Sequence, residues 1–194
     1  MRGGYIEDIR VAYYRDDLPE PQLEKPTDVK IRVRACGICG SEVHAYLGEH
    51  PFRIPPLVSG HEVAGDVVAV GEAVTAVKVG DRVVVEPQYG CGECWYCKHH
   101  LYNVCTAKKV LGSGGWSGGL GEFIVTPEQT VISLANALSY EEGALIETVA
   151  NAIAEGKMDL SKFVTQRYPI EQFKEAMYMA DKRPEPVLKV MVHF

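Results

Sequence analysis

Cys91-Gly-Glu-Cys94-Trp-Tyr-Cys97 runs on through seven residues to Cys105. Four thiolates this close in sequence suit one tetrahedral Zn²⁺ with every coordination position filled. A closed site leaves no place for a substrate, so its role is structural: the metal pins a loop that otherwise has little to pack. Trp95, Tyr96 and Tyr102 are expected to shield the site and to offer contact area to a partner. A disulfide pair or a redox site is the alternative, and iron–sulfur clusters use other cysteine spacings. His99 and His100 adjoin the four cysteines and are read as surface residues, because four thiolates already saturate the metal.

A second set is spread wider. Gly37-Ile-Cys39-Gly-Ser41-Glu42-Val-His44 follows a strand end, Gly60-His61-Glu62 comes next, and Ala144-Leu-Ile-Glu147 lies far downstream. Cys39, His61 and Glu147 are one thiolate, one imidazole and one carboxylate. Three such ligands with an open fourth position describe a catalytic zinc. Taken singly each signal is weak, since a lone histidine is usually structural and a lone glutamate usually solvated. Cys36 makes a C-x-x-C with Cys39, which read alone is a redox motif; at a strand end it is better read as a small, buried, spare cysteine.

These residues need elements to hold them. Val29, Ile31, Val33 and Ala35 alternate with Lys30, Arg32 and Arg34, the pattern of a half-buried strand. Val67–Val70, Val83–Val85 and Phe123–Val125 read as further strands, parted by the turn signals Gly71, Gly80 and Asp81 and by the glycine-rich stretch 112–121. Strands so spaced predict a barrel or sandwich. Ser139-Tyr-Glu-Glu142 reads as a capping box opening a short helix through Ile146. Thr148 to Glu155 reads as helical, with Gly156 ending it. Pro169 is expected to open another helix, with Ile170, Phe173 and Met177 on its core face. Residues 186–192 read as a closing strand.

The 194 residues are 46% hydrophobic and 24% charged, with a net charge of −6. That excludes widespread disorder and argues against a basic nucleic-acid footprint. No apolar run approaches the ~18 residues of a membrane helix. No basic flank precedes an apolar stretch at the N-terminus, so a cytoplasmic protein is expected, in which clustered cysteines bind metal more often than they form disulfides.

The combination of Gly37–His44, Gly60–Gly71 (GHEVAGDVVAVG), Val79–Pro87 (VGDRVVVEP) and the Cys91–Cys105 stretch resembles the zinc-dependent medium-chain alcohol and polyol dehydrogenases. Gly118–Val125, Leu138–Glu147 and Phe163–Met177 add to the likeness. Glu147 in its Ala-Leu-Ile-Glu context is similar to the sorbitol and polyol branch. The resemblance implies a GroES-like, mainly antiparallel β-barrel with a few helices and a protruding four-cysteine zinc lobe. It implies Cys39, His61 and Glu147 as ligands of a catalytic zinc, with Ser41 accepting the alcohol proton and His44 passing it to solvent. Glu42 stands where the family usually has Asp and would orient the ligand histidine. Glu62 would lie beside the zinc as an alternative ligand. Tyr46, Phe52 and Arg53 are candidate pocket residues.

The family places a nucleotide-binding Rossmann domain of roughly 150 residues between the Glu147 region and the closing region. Here the two regions nearly abut, and nothing fits G-x-G-x-x-G between a strand and a helix. The expectation is a single GroES-like catalytic domain over 1–194. Its N-terminal part is 1–150, including the zinc lobe 88–108, and its C-terminal part 151–194 is rejoined near Val149–Ala154. NAD(P), the family's hydride acceptor, is not expected to bind this chain, so hydride transfer alone is expected to be absent or residual. The expected partner is a small alcohol or polyol, with no nucleic acid and no membrane. The family's usual dimer is not expected, although the exposed cleft face offers a route to self-association. A zinc-stabilised binding or scaffold protein and a zinc-hydroxide hydrolase or lyase are the competing readings.

Overall fold

The computed structural model describes residues 1–145 and 162–194. Glu147, the helix expected over 148–155 and the join near 149–154 lie outside the described residues.

The central strand is β3 (Asp28–Ile38); in sequence it follows a separate hairpin of β1 (Gly3–Asp8) and β2 (Val11–Arg15) and precedes the long strand β4 (Glu62–Val70). Its alternation does what the pattern requires: Val29, Ile31, Val33 and Ala35 are fully buried, while Arg32 and Arg34 face out. One edge of β3 pairs with β4 antiparallel, from Val29 opposite Val70 to Gly37 opposite Glu62. Two strands share the other edge. β8 (Phe123–Pro127) takes the first half of β3, and β11 (Lys189–His193) takes the last four residues. β5 (Arg82–Val85) and β9 (Val131–Ser133) extend the sheet beyond β4.

The C-terminal region adds β10 (Val164–Pro169), parallel to β11. The mainly β, mostly antiparallel architecture holds. Its hydrogen bonding does not close into a full barrel: among the described residues the sheet runs from β10 to β9 as an open path. β6 (Gln88–Tyr89) and β7 (Lys109–Val110) form a separate two-stranded stem under the four-cysteine lobe.

Helices are few. α1 (Gly40–Leu47) starts where β3 ends and stops at Gly48, whose φ of 76° is the left-handed conformation glycine takes without strain. α2 (Trp95–Lys98) lies in the lobe. α3 (Tyr140–Ala144) carries the expected capping box, with Ser139 Oγ accepting from Glu142 N and Glu142 Oε2 accepting from Ser139 N at 2.8 Å. α4 (Phe173–Lys182) crosses from β10 to β11.

Phe173, Ala176, Met177 and Ala180 make the buried stripe of α4. Phe173 is wholly buried, a contribution of about 1.5–3 kcal/mol. Gly4 in β1 allows this packing, because a Cβ there would come within 2.6 Å of the Phe173 ring. The helix does not open at Pro169, as the sequence predicts. Pro169 ends β10 in an extended conformation, a 3-10 turn follows over Ile170–Gln172, and the α-helix begins at Phe173. The hairpin β1–β2 and strand β10 carry little alternation and escape the sequence pattern.

Candidate metal centres

The four-cysteine lobe stands on the β6–β7 stem, with α2 carrying Cys97 and Cys94 preceding it as the N-cap. The ligand atoms of Cys91, Cys94, Cys97 and Cys105 all lie within 4.8 Å of one another. Sγ–Sγ separations are 4.0 Å for Cys91–Cys97 and 3.8 Å for Cys94–Cys105. A tetrahedron with Zn–S bonds of ~2.3 Å has edges of ~3.8 Å, so the cage has the size zinc needs. Gly90 lets the chain come this close, since a Cβ there would meet Cys97 Sγ at 2.4 Å.

Charge points the same way. Backbone N–H groups of Cys94 and Glu93 pull Cys91 down to about 6. Burial, with the neighbouring thiols, pushes Cys97 up to about 12. A cation bound among the four sulfurs would favour the thiolate at each of them. Trp95 and Tyr96 do not fold over the thiolates as expected: both are exposed, and Trp95 stacks on His99 with ring centroids 4.0 Å apart.

The second site lies at one end of the central ladder. Gly37 pairs with Glu62 there, so Cys39, two residues past Gly37, and His61, one residue before Glu62, emerge at the same sheet end. Cys39 is also the N-cap of α1, and Glu42 is its third helical residue. The ligand atoms of Cys39, Glu42 and His61 lie within 4.8 Å of one another.

Glu42 is fully buried. Its Oε1 accepts from His61 Nδ1 at 2.9 Å, Arg53 Nη1 at 2.9 Å and Ser59 Oγ at 3.1 Å. Its Oε2 accepts from the Cys39 backbone N–H at 3.0 Å and Ser41 Oγ at 3.3 Å. Burial alone would raise the Glu42 carboxyl, but His61, Arg53 and the Cys39 amide hold it down to about 2. Burial alone would lower His61, but hydrogen bonds to Cys39 and Glu42 raise it to about 10. The bond from His61 in turn lowers Cys39 against burial. A thiolate beside an imidazolium is an arrangement whose proton a metal can displace, and sulfur plus imidazole nitrogen is a zinc donor set. Cys36 is wholly buried and burial raises its thiol, which suits an inert core residue.

The remaining sequence candidates are placed differently. The Glu62 carboxylate is engaged by Lys189 Nζ at 2.7 and 2.8 Å and stands outside the Cys39–Glu42–His61 cluster. Ser41 sits on the first turn of α1 at the edge of the site. His44 is exposed on the next turn and pairs with Glu49 Oε2 at 3.0 Å. Phe52 lines a groove of about 410 Å³ with Ile54, Leu57, Val58 and Trp116. Arg53 is no groove residue: it is 3% exposed and turned inward onto Glu42. Ser59 and Lys189 were not singled out in the sequence, because neither sits in a spacing that signals its contact.

Residues 25–136 match the family described as alcohol dehydrogenase GroES-like domain. The chain is 40% identical over 158 residues to the (R,R)-butanediol dehydrogenase of Bacillus subtilis, covering 76% of this chain and 43% of that protein. It is 40% identical over 142 residues to the D-arabitol-phosphate dehydrogenase of Enterococcus avium, covering 73% of this chain and 39% of that one. The crystal structure of 2R,3R-butanediol dehydrogenase from Bacillus subtilis superposes with a TM-score of 0.66 at 33% identity, over 93% of this chain and 55% of that one. The chain thus spans about two fifths of the length of these curated relatives.

Proposed function

Because the chain belongs to the alcohol dehydrogenase GroES-like domain family, we propose that it is the zinc- and substrate-binding unit of a dehydrogenase acting on a small alcohol or polyol. One observation carries this reading: Cys39 and His61 converge at one sheet end, with Glu42 hydrogen-bonded to both residues.

In this reading Cys39 and His61 hold the metal, and Glu147, which lies outside the described residues, supplies the third ligand by family resemblance. A bound zinc would act as a Lewis acid on the substrate oxygen, lowering the pKa of its hydroxyl. Glu42 accepts a hydrogen bond from His61 Nδ1–H and leaves Nε2 for the metal. Ser41 Oγ would take the hydroxyl proton as it releases its own towards His44. His44, exposed one turn further along α1, hands it to solvent. Glu62, tied to Lys189, stays in reserve beside the site. The hydride acceptor is NAD(P), held by a nucleotide-binding domain outside this unit. The 1–194 chain is one domain whose two parts complete each other; the pairing of β11 with β3 supports this.

Metal counting tests the assignment. The chain loaded with Zn²⁺ or Co²⁺ is expected to hold two equivalents. Cys39→Ser or His61→Ala should remove one, and Cys97→Ser the other. A single equivalent that ignores Cys39→Ser would leave a zinc-stabilised scaffold instead. Titration with NADH is expected to show no binding by the chain alone, and stoichiometric binding would overturn the assignment of the cofactor to another domain.

A further inference from the structure

We propose that Arg53 is a positioning residue for the metal ligand His61, acting through Glu42; this rests on the reading of Cys39 and His61 as ligands. Arg53 and Glu42 are 3% and 0% exposed, and Nη1 stands 2.9 Å from Oε1. The same Nη1 lies 3.1 Å from Ser59 Oγ and 3.4 Å from the Gly112 carbonyl. One guanidinium nitrogen thus locates Glu42 Oε1 against two fixed points of the surrounding chain.

Oε1 is also the atom that meets His61 Nδ1. Arg53 Nη1, itself held by Ser59 and Gly112, therefore fixes Oε1 in place as the acceptor that faces His61. An acceptor at Nδ1 fixes the proton there and leaves Nε2 as the free donor to a metal. As a stability element Arg53 is expensive: its Nε has no partner among the described residues, and an apolar side chain would fill a core position at less cost.

Each carboxylate near the site has its own cation. Arg53 serves Glu42 and Lys189 serves Glu62. Neither carboxylate then presents an uncompensated charge to the metal position, and the anionic ligands themselves set its charge.

The test uses the full chain, with the four-cysteine lobe as internal reference. Co²⁺ affinity at the Cys39–His61 site is read from the thiolate charge-transfer band. The His61 tautomer is read from imidazole ¹⁵N shifts of the zinc-loaded chain. Arg53→Met is expected to weaken the site about 10- to 100-fold, to blur the single-tautomer ¹⁵N pattern and to leave the lobe unchanged. Arg53→Lys keeps the charge and loses the planar fork, so it should weaken the site only severalfold and keep the tautomer. Wild-type affinity and ¹⁵N pattern in both variants would overturn the proposal. So would a loss shared equally by the lobe. If Arg53→Met does not fold, Arg53→Lys decides by the same two readouts: weakening confined to the site supports the proposal, and wild-type behaviour rejects it. A second metal equivalent that survives Cys39→Ser would defeat the metal reading itself, and this inference with it.

Discussion

Lys189 Nζ lies 2.7 Å from Oε1 and 2.8 Å from Oε2 of Glu62, so the last strand of the chain grips the residue next to His61. The pair spans 127 positions in sequence, and both side chains are only about one fifth exposed. Gly37 makes room for it, because a Cβ there would stand 2.0 Å from Glu62 Oε2. The C-terminal region is therefore fastened beside the candidate metal centre as well as to the sheet.

Lys189→Met is expected to lower unfolding stability by about 1.5–3 kcal/mol, the range for hydrogen bonds to charged groups. Gly37→Ala should push Glu62 off Lys189 and lose much of the same energy. In a double-mutant cycle by urea unfolding, the two losses should fall well short of additive. Full additivity would mean that Gly37 matters for some other contact.

Glu42→Gln removes the only carboxylate paired with Arg53 among the described residues. A buried charge left without its partner typically costs about 3–5 kcal/mol. The variant should unfold at markedly lower urea concentration and lose the metal equivalent assigned to Cys39 and His61. An unchanged midpoint would show that water compensates Arg53.

The lobe should depend on its metal and the sheet should not. Its stem is two residues per strand and α2 is one turn, too little to be stable in isolation. Chelation or Cys97→Ser should open residues 91–105 to proteolysis while the amides of β3 stay protected from hydrogen exchange. Loss of protection in β3 as well would make the lobe part of the folding core.

Glu128 offers a pH test away from both centres. Its Oε1 accepts from the backbone N–H groups of Ala76 and Thr75, each at 2.5 Å, and these bonds lower its carboxyl from 4.5. A depressed folded-state pKa means that the stabilisation is present above pH 4.5 and is lost as pH falls through the lowered value. The amide shifts of Thr75 and Ala76 should therefore titrate together, below pH 4.5. Glu128→Gln should abolish that titration, and a midpoint at or above 4.5 would contradict the clamp.

Much of this molecule could be read before it was folded. The alternation from Val29 to Ala35 announced the central strand, because a strand with one face against the core must repeat every two residues. Phe173 and Met177 announced the buried face of α4 by the 3.6-residue repeat, while Ile170, read with them, is buried in the 3-10 turn that precedes the helix. The start of that helix was misplaced at Pro169, since a φ near −65° serves equally well in an extended strand end.

The amino-acid sequence by itself determined the local matters: where strands alternate, where caps form, and that four cysteines lie within fifteen residues at a spacing that suits one metal. Each depends on neighbours a few residues apart, whose separation the backbone sets. Only the tertiary structure decided that Arg53 turns inward onto Glu42, that Glu42 serves Cys39 and His61 at once, and that Lys189 takes the carboxylate of Glu62. Those contacts join positions 11, 19 and 127 residues apart. The register of β3 against β4 and β11, set by which face must be buried, brings the last two pairs together; no spacing along the chain encodes it.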